Sequence, residues 1–86
     1  MYLIIVYDTD KRNCVKLHKH LKRYLNWNQN SVFEGTVSIS MRTEIIMLLK
    51  ELSVPESCIT IYTIDNEKFV NREEIGNPKG NQSNIL

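Results

Sequence analysis

Three groups of side chains in this sequence have the chemistry to act on a ligand. The first is Asp8, which closes the apolar run IIVYD at residues 4–8 and is followed after one threonine by Asp10. A carboxylate at a strand end has two readings, and the residues alone leave both open. It hydrogen-bonds the turn, a common role for Asp, or it is a ligand for a hard cation such as Mg²⁺, which takes one or two carboxylates and keeps several waters. The second group is a cationic stripe, Arg12, Lys16, Lys19 and Arg23, at spacings of four, three and four. Such a stripe is either a solvated helix face or a row of phosphate contacts, where release of condensed counterions drives binding to a duplex. The third is His18, His20, Cys14 and Cys58. The two histidines are two residues apart and diverge on a helix, so they read as structural or solvent-facing. The cysteines lack zinc spacing and read as free thiols. No glycine-rich phosphate loop and no nucleophile elbow is present.

The surrounding pattern supplies elements to carry these residues. Residues 2–8 read as a strand that is apolar on both parities, which calls for cover on both faces. Residues 11–25 read as a helix with Asp10 as N-cap. Its apolar face holds Cys14, Leu17, Leu21, Tyr24 and Leu25, about 180° from the cationic stripe. The same window holds six cations and no acid. Residues 27–37 read as two short strands, or as one bent strand with a bulge near Gly35. Trp27 and Phe33 there favour core packing over stacking on bases. Residues 39–52 form a second helix capped by Ser38 or Ser40. A loop with Pro55, a strand over 58–64, a short strand over 67–73 and a polar tail complete the chain.

Eighty-six residues with 42% hydrophobic, 24% charged and a net charge of +1 make one small domain. The charge is unevenly spread. Residues 1–50 carry eight Lys/Arg against four Asp/Glu, and residues 51–86 three against six. The order strand, helix, two strands, helix, strand, strand predicts an α+β ferredoxin-like βαββαβ sandwich with an extra C-terminal strand. The domain spans 1–76 and the tail, 77–86, is expected to be mobile. Two helices cover one sheet face. The other face is expected to be covered by a second copy, giving a homodimer closed through the sheet. No segment reaches the roughly 20 apolar residues of a membrane span, and the cytoplasm is the expected compartment.

The strand ending in Tyr7 and Asp8, the basic helix, and QNSVFEG at 29–35 ahead of a second helix together resemble the small CRISPR-associated family Cas-two (Cas2). The segments IYTID and EKFVNREEIG are similar to that family's last strands. The resemblance covers residues 1 to about 76. It implies a ferredoxin-like homodimer that binds duplex DNA beside the integrase subunit during spacer acquisition. It also implies a metal-dependent endonuclease acting on RNA or DNA with Mg²⁺ or Mn²⁺, or, as the alternative, a non-catalytic DNA-bridging scaffold. Carried over residue by residue, Asp8 matches the catalytic and metal-binding acid. Tyr7 and Phe33 match aromatics near the same cleft, and Arg12 and Lys16 match the family's general run of basic positions after the first strand, without a strict motif; with Lys19 and Arg23 of the stripe these are the expected nucleic-acid contacts. The short link after Asp8 departs from the pattern, because it leaves little loop to shield a metal. A third reading, a small-molecule regulatory module, rests on the fold alone.

Overall fold

The alternation of the first strand sets the whole architecture. In β1 (Tyr2–Asp8) the odd residues Leu3, Ile5 and Tyr7 are buried, while the even residues Tyr2, Ile4, Val6 and Asp8 face the other way and stay exposed or half-buried. The structure, a computed structural model, describes residues 1–55, 57–66 and 69–76. The expected mobile tail, 77–86, lies outside the described residues, as do positions 67 and 68 of the last expected strand. The described chain then runs through α1 (Lys11–Leu21), β2 (Asn26–Gln29), β3 (Val32–Thr36), α2 (Ile39–Leu52), β4 (Cys58–Asn66) and β5 (Phe69–Gly76). The five strands form one sheet in the order β2-β3-β1-β4-β5, and every neighbouring pair is antiparallel.

Both helices cover the odd face of β1. Leu17 and Leu21 of α1 and Ile45 and Leu49 of α2 join Leu3, Ile5, Phe33, Ile59 and Ile61 in one buried cluster. Each helix has its start fixed by a side chain. Asp10 accepts from Asn13 N at 2.8 Å to cap α1, and Ser38, not Ser40, accepts from Met41 N at 3.1 Å to cap α2. Asp10→Ala should lower stability by about 1 kcal/mol. Thermal unfolding should read this as a midpoint about 4–8 °C lower.

The structure differs from the sequence reading in several places, and the last strand, β5, runs to Gly76 where 73 was expected. The first helix ends at Leu21 rather than Leu25, where Arg23 N donates to His20 O at 3.3 Å and Tyr24 N to Leu21 O at 2.9 Å, three-residue bonds that tighten the chain into the turn before β2. Leu25 stays buried all the same. Of the two readings of 27–37 the structure has the two short strands, β2 and β3, and the irregularity between them falls between Trp27 and Gln29, not near Gly35. Gly35 instead serves close packing, since a Cβ there would lie 3.3 Å from Leu25 Cδ2. Finally, Trp27 is not core. It sits 55% exposed on an edge strand whose four residues all face solvent.

The acidic character of the C-terminal half is partly spent within the fold. Arg42 of α2 bonds both Thr63 Oγ1, at 3.1 Å, and the Glu73 carboxylate, which ties α2 to β4 and β5. Among the described residues no helix is long and apolar enough to cross a membrane.

Candidate functional site

Asp8 is the last residue of β1 and stands opposite Cys58 of β4. Its parity places it on the face that the helices leave open, in line with Ile4 and Val6. The neighbourhood is polar and linked. Cys58 Sγ donates to Glu74 Oε2 at 3.8 Å, and Arg72 Nη2 donates to the same oxygen at 2.8 Å. The Arg72 guanidinium lies 5.9 Å from the centre of the Tyr62 ring. Burial, and after it the charges of Glu74 and Asp8, push the Cys58 thiol above its ordinary range. With no metal bound it therefore stays protonated at neutral pH. The donor suited to a metal is the exposed Asp8 carboxylate, whose hard oxygens fit Mg²⁺ or Mn²⁺. Among the described residues no group of three His, Cys, Asp or Glu is placed to hold a metal ion.

The open face is apolar where Asp8 is not. Tyr2 pairs with Ile64, Ile4 with Tyr62, and Val6 with Val32 across neighbouring strands. Val70 of β5 extends the row from Ile64 and is 60% exposed. The result is an apolar field in the middle of the sheet with Asp8 at one end.

Tyr7 and Phe33 fall on the other side of the sheet. Their rings lie near-parallel with centroids 6.3 Å apart. Phe33 is fully buried, and the His18 ring packs edge-on against it at 5.1 Å and against Trp27 at 5.5 Å. Phe33 therefore has no surface to offer a nucleic acid, and the expectation of a direct contact from it gives way to a core role. Trp27, assigned to the core by sequence, is the exposed aromatic. Tyr7 is only 3% exposed and its Oη has no hydrogen-bond partner. Burial, with the Cys14 thiol close by, pushes its pKa up to about 12. Tyr7 lies on the helix side of the sheet and does not reach the Asp8 face.

The cationic residues are where the pattern places them. Arg12, Lys16 and Lys19 on α1 are exposed, and so is Arg23 just beyond its end. Lys11 and Lys22, which the stripe pattern passed over, are exposed as well and widen the field. Their signal was the composition of the window, six cations without an acid, and not the spacing.

Comparison with known proteins bears on this arrangement. A family model described as "CRISPR associated protein Cas2" matches residues 1–72. The chain is 40% identical over 88 residues to a protein named CRISPR-associated endoribonuclease Cas2 from Methanosarcina acetivorans, with both chains covered in full. It is 35% identical over 90 residues to the protein of the same name from Thermotoga maritima, again over the whole of both. A solved structure described as "Crystal structure of cas2" superposes with a TM-score of 0.74 at 36% identity, covering 100% of this chain and 98% of the other.

Proposed function

The chain belongs to the Cas2 family of CRISPR-associated proteins, and on that premise we propose that it works in the cytoplasm as a homodimer that binds duplex DNA beside the integrase subunit during spacer acquisition. In this reading the two Asp8 carboxylates also support metal-dependent hydrolysis of phosphodiesters, RNA included, as the names of its relatives suggest. The strand order β2-β3-β1-β4, with both helices on one face, supports a ferredoxin-like topology to which β5 adds a strand.

One observation carries the proposal: Asp8 lies on the same open face as the apolar field of Ile4, Val6 and Tyr62. A two-fold contact is made by the same patch on both partners. A second copy seated on this face therefore covers its apolar rows and brings its own Asp8 to the same interface. The two Asp8 carboxylates would hold a divalent cation, which when bound would supply charge stabilisation at a phosphate and a water of lowered pKa. The chain's own contribution is to hold each carboxylate at the rigid end of a central strand. The exposed cations of α1 appear once per protomer and give the dimer two basic rows for a long duplex.

The rival reading, a bridging scaffold without chemistry, has its own support. Among the described residues no group of three His, Cys, Asp or Glu is placed to hold a metal ion, so the described chain by itself makes no complete metal site. Both readings require the basic stripe. The variant with Arg12, Lys16, Lys19 and Arg23 all changed to Glu should bind duplex DNA at least about tenfold more weakly at moderate salt. Its log–log salt slope should be shallower by about 3 to 4 per protomer engaged. Fluorescence anisotropy across a salt series reads both quantities. Unchanged affinity would remove α1 as the duplex surface.

A further inference from the structure

Trp27 is the single tryptophan of the chain. It stands directly opposite Phe33 in the β2–β3 register, and residues paired across an antiparallel ladder share a face, so it points to the helix side of the sheet. Phe33 is fully buried there, whereas Trp27, on the edge strand, is 55% exposed. A lone apolar residue at the surface calls for no explanation. Two features set this one apart. The first is that its ring is held. Nε1 donates to the Asn30 carbonyl at 2.9 Å, across a turn in which Asn30 takes a left-handed backbone (φ 46°). The His18 ring meets the indole at 5.5 Å and is itself packed against Phe33 at 5.1 Å, so the exposed indole is braced from the core. An indole has one polar atom, and here it is used within the chain. What remains for a ligand is the ring. The second feature is charge. His18 and Asn30, both in contact with Trp27, line a cavity beneath α1 together with Lys19 and Lys22. The window of α1 and the turn after it contributes six cations and no acid. The acid of the β2–β3 hairpin, Glu34, is turned to the opposite face, where it is bonded by Tyr2 and Asn28.

We propose that Trp27 is a stacking platform for an unpaired nucleobase, with the phosphate of that nucleotide on Lys22. Bases stack on exposed aromatic rings beside cationic grooves, and they do so whatever their identity, because every base has a π-face. A ring whose N–H is already engaged reads no base edge, so the platform accepts any base. A ring already held in place also loses little freedom when the base arrives. A paired helix keeps its bases stacked on one another and offers no free face along its length. The same chemistry has two sources, single-stranded RNA or the unpaired end of a DNA duplex. The inference rests on the reading of α1 as a nucleic-acid surface and goes beyond it. Trp27 lies off the stripe of Arg12, Lys16, Lys19 and Arg23, and it adds a preference for unpaired strand that a row of cations does not supply.

The test reads the fluorescence of Trp27, which no second tryptophan obscures. The full-length chain is titrated with single-stranded RNA, with a long blunt DNA duplex, and with the same duplex carrying unpaired ends. Stacking quenches an indole, so emission should fall with the unpaired probes and level off as they saturate. The blunt duplex should bind without that fall. Trp27→Ala should weaken the unpaired probes at least about fivefold, the lower end of what one base–aromatic stack supplies, and leave the blunt duplex within about twofold. Trp27→Phe keeps a ring, gives up Nε1–H, and should recover most of the loss. A fall with RNA alone assigns the platform to single-stranded RNA, and a fall with the unpaired-end duplex alone assigns it to strand ends. Unpaired strands that do not bind, or that bind with emission unchanged, would overturn the proposal, as would an equal fall with the blunt duplex. Trp27→Phe as weak as Trp27→Ala would overturn it too, since the loss would then belong to the bond with Asn30 and not to stacking. Emission is read on the unaltered chain, so the test stands even where the alanine variant does not fold. The blunt-duplex arm reads the duplex proposal by itself, so the two can fail independently.

Discussion

Asp8→Asn is expected to abolish Mg²⁺-dependent cleavage of RNA or DNA while leaving a folded dimer. Asparagine matches the size of aspartate and keeps one acceptor oxygen, but it loses the charge that a hard cation requires. In a site shared by two chains the substitution removes both carboxylates at once. A loss of at least about 10³-fold in kcat/KM, equal to roughly 4 kcal/mol of transition-state stabilisation, is the expected scale. Folding should be nearly untouched. Asp8 is exposed at a strand end, and its pairing with Cys58 is a backbone register. The measurement is cleavage of end-labelled RNA and duplex DNA with Mg²⁺ and with EDTA, beside circular dichroism and sedimentation of the same samples. Cleavage that survives in Asp8→Asn at the original rate would sink the catalytic reading. Spacer integration that survives while cleavage is lost would favour the bridging role.

How far the sequence led toward this site is best seen in the first strand. Its two apolar parities were legible, and so was the need for two covering layers. Which parity meets the helices was not, because that depends on the handedness of the connection into α1 and on packing that no single strand encodes. The structure turns Leu3, Ile5 and Tyr7 inward, and with that choice Asp8 must share a face with Ile4 and Val6. Asp8 stood out from the sequence as a candidate, while its place beside the apolar field needed the fold. Tyr7 and Phe33 show the converse error. They adjoin Asp8 in sequence or motif and were assigned to the same cleft, yet the alternation of a strand sends Tyr7 to the opposite face. Trp27 misled for a different reason. Large aromatics are usually buried, but β2 is an edge strand of four exposed residues, and Trp27 is satisfied there by His18 and the Asn30 carbonyl. The cavity beneath α1 left no signal in the sequence, since its lining comes from β1, from α1 and the turn after it, and from the β2–β3 turn.

The second large effect concerns the open face itself. The double variant Ile4→Lys, Ile64→Lys is expected to convert the dimer to monomers and to abolish cleavage without touching Asp8. Ile4 and Ile64 are half-buried on adjacent strands, Ile4 opposite Tyr62 and Ile64 opposite Tyr2. A single chain tolerates lysine at both, because the charged ends reach water. Across a two-fold interface the substitutions place four ammonium groups in one desolvated patch, and each buried charge without a partner costs several kcal/mol. The dimer dissociation constant should rise by at least about 10³-fold, a shift of roughly 4 kcal/mol. Sedimentation equilibrium measures it. Ile4 is four residues from Asp8 along β1, about 13 Å in an extended strand, so a metal site would feel the change only through loss of the second chain. Duplex affinity should fall as well, since two basic rows on one body bind with the advantage of linkage and two separate rows do not. Met47→Lys, on the outer side of α2 and 64% exposed, is the control and should leave assembly, cleavage and duplex binding as they were. A double variant that still sediments as a dimer would place the interface elsewhere. Cleavage that persists in a true monomer would show that one Asp8 suffices, and the carboxylate would then have to find its remaining ligands from water and the substrate.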